Sequence, residues 1–157
     1  MISLDAENFS SVPSRGYDIK GLRIKVPSNY DPINRTYTGI WDGTFKIAWS
    51  DSPPWCFYDL LTNKRYGLGD FIDANQIDKW QLYQIARYCD ELVPDGRGGS
   101  EPRFQCSVVL DQARPAFDVL NDFASIFRGL TYYAAGAVSA VADGPRDPVK
   151  IITPANV

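Results

Sequence analysis

Leu22, Ile24 and Val26 alternate with Arg23 and Lys25, the period of a half-buried strand. A loop from Pro27 to Pro32 follows. Thr36–Trp41 and Thr44–Trp49 then flank Asp42-Gly43, which predicts a hairpin, because both central positions of the tight turn need positive φ. Phe45, Ile47 and Trp49 share one face of its second strand. Ser52-Pro53-Pro54 reads as an N-cap followed by prolines in a first helical turn, and this helix runs to about Thr62. Lys64 to Gly69 is a turn, and Asp73 to Asp78 prepares a second helix.

On that second helix Leu82, Ile85, Ala86, Cys89 and Val93 form one apolar stripe, ended by Pro94. Asp95-Gly96-Arg97-Gly98-Gly99-Ser100 is a flexible connector. Phe104, Cys106, Val108 and Leu110 alternate with polar neighbours and predict a strand. A third helix begins near Pro115, with Ala116, Leu120, Phe123 and Phe127 as its stripe and Gly129 at the C′ position. Leu130–Ala135 and Ala137–Asp143 predict a hairpin around Gly136, and Val149–Thr153 a last strand. The fold class is therefore α+β, with about three helices on mixed or antiparallel sheet. Residues 1–16 are a polar lead-in, and 17–157 hold the folded segment, divisible at about residue 70 into two small subdomains (17–70 and 71–157). The chain ends at Val157 with no terminal cap and reads as a piece of something longer.

Composition narrows the chemistry. The 157 residues contain no histidine, which removes imidazole acid–base steps, the usual serine and cysteine triads, and histidine-ligated zinc. Sixteen Lys and Arg against nineteen Asp and Glu give a charge of −3, against the basic surplus of a duplex-DNA binder. Cys56, Cys89 and Cys106 are too widely spaced for a metal motif, so three reduced, unpaired thiols are expected. No stretch approaches the roughly 20 apolar residues of a membrane-spanning helix, and the N-terminus does not resemble a signal peptide. Asn34-Arg35-Thr36 fits a glycosylation sequon, taken here as chance.

The remaining motifs have plainer explanations. Asp70, Asp73, Asn75 and Asp78 lack the spacing of a calcium loop and suit helix capping. Asp90, Glu91 and Asp111 raise a glycosidase pair, but adjacent helical residues diverge by about 100°, so a solvated helix face is expected. Asp95–Gly99 is glycine-rich without the Gly-Lys-Ser/Thr of a phosphate loop. No catalytic residue, cofactor site or metal site is predicted. Trp41, Trp49, Trp55, Phe57, Tyr58, Tyr66, Trp80, Tyr83 and Tyr88 either fill a core and an interface or line a sugar-binding face, and core packing is the expectation.

Longer strings go further. They are Asp18–Tyr30 (DIKGLRIKVPSNY), Tyr37–Phe45 (YTGIWDGTF), Phe57–Asn63 with Arg65–Gly69, Tyr88–Gly96 leading to Glu101–Phe104, and Ala124–Gly129. Together, from about Tyr17 to Val157, they closely resemble the host-specificity protein J family of long-tailed phages, also called tip attachment or central tail fibre proteins. The resemblance implies a structural virion protein, made in the bacterial cytoplasm and carried at the tail tip of a phage or prophage. Family members are much longer and trimeric; their N-terminal and middle parts build a baseplate hub, and receptor recognition lies toward the far C-terminal end. The chain is then a hub-region segment whose partners are other copies of the parent chain and neighbouring tail-tip proteins, serving host attachment and DNA delivery without specific nucleic-acid binding. Its mild acidity suits a DNA passage, since a basic lumen would hold the phosphates. The competing readings are a glycan-binding module using Trp41 or Trp55 and a cell-wall hydrolase. A hub segment on its own is expected to be monomeric or weakly self-associating, with an exposed apolar patch formed by Trp41, Trp49 and Trp55.

Overall fold

A computed structural model describes residues 16, 17, 19, 21–134 and 137–144. The elements run β1 (Arg23–Pro27), β2 (Tyr30–Asp31), β3 (Thr36–Tyr37), β4 (Phe45–Trp49), α1 (Pro53–Thr62), a single 3₁₀ turn (Ala74–Gln76), α2 (Lys79–Asp90), β5 (Leu92–Pro94), β6 (Ser100–Pro102), α3 (Ala116–Ile126), β7 (Gly129–Ala134) and β8 (Ala137–Ala142). The class is α+β, with the strands in four two-stranded antiparallel ribbons, β1–β4, β2–β3, β5–β6 and β7–β8.

Helix α1 packs on β1, α2 and α3, while α2 meets β8 and α3 meets β7. It explains its own position: Trp55, Phe57, Tyr58, Leu60 and Leu61 are all buried, so nearly every side of the helix is apolar and must be covered. Pro53 and Pro54 occupy its first turn, where no intrahelical donor is lost. Beyond Asn63 the chain folds back on the helix end, Leu68 N donating to Leu60 O at 2.9 Å. Gly67 lies so close to the Leu60 carbonyl that a Cβ would collide with backbone.

The hairpin expected at Asp42-Gly43 does not form. Gly43 takes positive φ (85°) and the Asp42 carboxylate accepts from Thr44 N at 2.9 Å, so the turn is real. Its flanks pair elsewhere, however. β4 aligns with β1, Phe45 opposite Pro27 and Trp49 opposite Arg23, and β3 aligns with β2. Burial decided this: Trp41 tucks inward and donates its indole N–H to Thr44 O at 2.6 Å, which a paired strand would not allow.

Three other boundaries differ from the pattern. α2 stops at Asp90, and Val93 belongs to β5, which pairs with β6 to make the glycine-rich segment a hairpin turn. The Asp95 carboxylate holds that turn, accepting from Arg97 N (2.7 Å) and Gly99 N (2.9 Å). Residues 104–110 are not a strand; they run without regular secondary structure, tied at the start by Phe104 N to Cys89 O (3.1 Å) and Cys106 N to Asp51 O (2.7 Å). The left-handed residue that ends α3 is Arg128 (φ 53°), and Gly129 opens β7, where a Cβ would strike the Phe127 ring. The β7–β8 hairpin forms as the pattern indicates, with Ala134 opposite Ala137. The lead-in at 1–15, the Gly136 turn and the strand at 149–153 lie outside the described residues.

Candidate functional site

Two buried arrangements and one open face stand out. The first is aromatic. Trp41 stacks on Tyr83 (4.9 Å between centroids) and meets Phe45 (5.2 Å) and Trp55 (5.9 Å) edge-on. Phe45 stacks on Tyr58 at 4.7 Å, and Tyr37 bridges Tyr30 and Tyr83. Lys79 closes the top: its Nζ lies 5.5–5.9 Å from the Trp41, Phe45 and Trp80 rings and donates to Gly43 O at 2.9 Å. Trp41 and Trp55 are 4% and 0% exposed, so neither offers a face to a sugar or to a partner. The expected patch of Trp41, Trp49 and Trp55 is therefore corrected: two of its rings are core, and Trp49 is half-buried.

The second arrangement is ionic, and the pattern of positions does not reveal it. Arg35, in a left-handed turn between β2 and β3, reaches inward to Asp90 (Nε to Oδ1, 3.0 Å) and Asp51 (3.2 Å). Tyr37 donates its hydroxyl to the other Asp90 oxygen at 2.6 Å. Asp90 is thus buried and paired, not part of a solvated helix face, whereas Glu91 is exposed and bridges Arg103 at 2.7 Å. Burial pushes the Asp90 carboxyl up to about 6, against the pull of Tyr37 and Arg35. Burial and the Asp90 charge both raise the Tyr37 hydroxyl. Arg35 sits in a polar run (Asp31-Pro32-Ile33-Asn34-Arg35-Thr36), so nothing in the local sequence marks it as buried or names its partners.

Both Asp90 oxygens face groups of this chain, Oδ2 accepting from the Tyr37 hydroxyl and Oδ1 lying 3.0 Å from Arg35 Nε. Asp73 and Asp78 cap the 3₁₀ turn and α2, Asp73 accepting from Asn75 N and Asp78 from Gln81 N. Among the described residues no group of three His, Cys, Asp or Glu side chains could hold a metal ion. No helix among them is long and apolar enough to cross a membrane.

The open face is a groove of about 1010 Å³ between α1, α3 and residues 106–114. Leu22, Trp49, Leu68, Val108, Leu110 and Leu120 contribute apolar wall. Val109, which also lines it, is 87% exposed, and Phe117 in the first turn of α3 is 66% exposed.

Known proteins agree with the strings noted in the sequence. The chain is 48% identical over 157 residues to "Tip attachment protein J" of Escherichia phage SECphi27, covering 99% of this chain and 13% of that protein. It is 44% identical over 144 residues to the protein of the same name in Escherichia phage SECphi4, covering 92% of this chain and 13% of the relative. No family model matches. The chain thus spans about an eighth of the curated relatives it matches, and within that span it belongs with the tip attachment protein J family.

Proposed function

We propose that this chain, as a J-family segment, is a non-catalytic structural part of a phage or prophage tail tip, contributing to a trimeric hub that serves host attachment and DNA delivery. The observation that carries the proposal is the 44–48% identity over nearly the whole chain to proteins named for tip attachment. The physical character of the segment supports it. Its polar groups are spent on structure: Arg35, Asp51, Asp90 and Tyr37 on one another, Asp42, Asp73, Asp78 and Asp95 on turns and caps. Its apolar surface is left open along the groove of α1 and α3, and another copy of the parent chain is the occupant we assign to it. A net charge of −3 suits a wall past which DNA slides.

Labelling tests the proposal. Antibodies raised against the chain should decorate the distal end of intact particles in electron micrographs. Decoration of the head or of the tail shaft would overturn it. Peptidoglycan and polysaccharide assays with the same protein should stay at background, and turnover lost on a single Asp or Glu substitution would replace the structural role with an enzymatic one.

A further inference from the structure

The segment beyond β6 meets the start of α1 at one point that is chemically distinctive. Cys106 N donates to Asp51 O at 2.7 Å, which fixes the Cys106 backbone at the start of the helix. Cys56, in the first turns of α1, has its Sγ 3.7 Å from Ser50 O and within hydrogen-bond reach of the Cys106 thiol. Neither sulfur is joined in a disulfide. Both also line the groove, Cys56 half-buried and Cys106 buried at its wall. Cys89 is set apart, fully buried on α2.

We infer that Cys56 and Cys106 form a dithiol site that low-molecular-weight disulfides convert into an intramolecular disulfide, fastening residues 104–114 to α1. One of the two thiols, as thiolate, displaces one thiolate from the small disulfide and forms a mixed disulfide. The other then loses its proton and attacks the protein sulfur of that mixed disulfide, expelling the second thiolate. Two protein thiols are oxidised, one small disulfide is reduced to two thiols, and the two protons end on those products. Closing the link removes freedom chiefly from the unfolded chain and holds in place a stretch whose residues 107–117 are exposed. This chemistry does not depend on the tail-tip role.

The test uses the 157-residue chain incubated with oxidised glutathione under native conditions, followed by intact mass and peptide mapping. The native chain and Cys89→Ser should each lose two hydrogen masses, with Cys56 and Cys106 linked. The melting midpoint should rise by several degrees and fall back on reduction. Cys56→Ser and Cys106→Ser should instead each stop at one glutathione on the remaining thiol of the pair. Stable glutathione adducts on both residues of the native chain, or closure only in denaturant, would overturn the inference.

Discussion

Arg35 and Asp90 meet at 3.0 Å, with side chains only 7% and 2% exposed, although they are 55 positions apart in the sequence. The pair joins the β2–β3 turn to the last residue of α2, and Asp51 brings the start of α1 to the same guanidinium. A buried pair of this kind is not stabilising merely by being charged, because desolvation offsets much of the attraction. Its weight appears when one member is removed.

Arg35→Ala should therefore cost about 3–5 kcal/mol in chemical denaturation, since Asp90 is left buried without its cation. The Arg35→Met/Asp90→Leu double variant should be much less damaged than the two single losses combined. Additive losses would show that the two residues are not energetically coupled.

Acidity tests the same site. The Asp90 carboxyl is raised from its ordinary 3.8 to about 6 in the folded chain. The folded state thus holds this proton more tightly than the unfolded state. The associated stability is fully present below about pH 4 and is lost as pH rises through about 6. Asp31, Asp42 and Asp95 are lowered by their hydrogen bonds and act in the opposite sense, losing stability as pH falls below the ordinary carboxylate range. In thermal melts from pH 4.5 to 7.5, about the range set by the Asp90 shift, the Asp90→Asn variant should lack the downward slope that the native chain shows. Parallel curves would remove Asp90 as its source.

The stripe on α2 is core. Leu82 and Ile85 are 1% and 4% exposed, and truncation of either to alanine should destabilise the fold by about 2–5 kcal/mol. Midpoints unchanged by either substitution would contradict that packing.

Indole exposure separates the packed rings from the surface. Trp41 and Trp55 should be shielded from iodide quenching, whereas Trp80, 51% exposed, should be quenched. Trp80→Phe should accordingly remove most of the quenchable fluorescence. Strong quenching that survives this change would place another indole in solvent.

These residues also show what the sequence made legible. The α2 stripe, the prolines opening α1 and the β7–β8 hairpin follow from local periodicity and backbone preference, and each appears in the fold. The pairing of β1 with β4 does not follow, because Asp42-Gly43 specifies a turn but not which strands lie beside its flanks. Residues 104–110 alternate like a strand, yet only Cys106 is buried among 105–110, and Val109 is 87% exposed. Alternation cannot supply the neighbouring strand that a ladder needs. The Arg35 cluster was hidden for a related reason. A buried charge is identified by partners that converge from distant segments, and periodicity carries no information about them.

We propose that this segment is built into a tail tip, with its open apolar groove as an assembly surface. A cryo-electron microscopy reconstruction of the tail end of intact particles tests it most directly. Three copies of this fold should surround the tail axis, with another copy of the parent chain packed over Leu22, Val108, Leu110 and Leu120 in the groove. A tail tip without this fold, or one in which the groove faces solvent in every copy, would contradict the account.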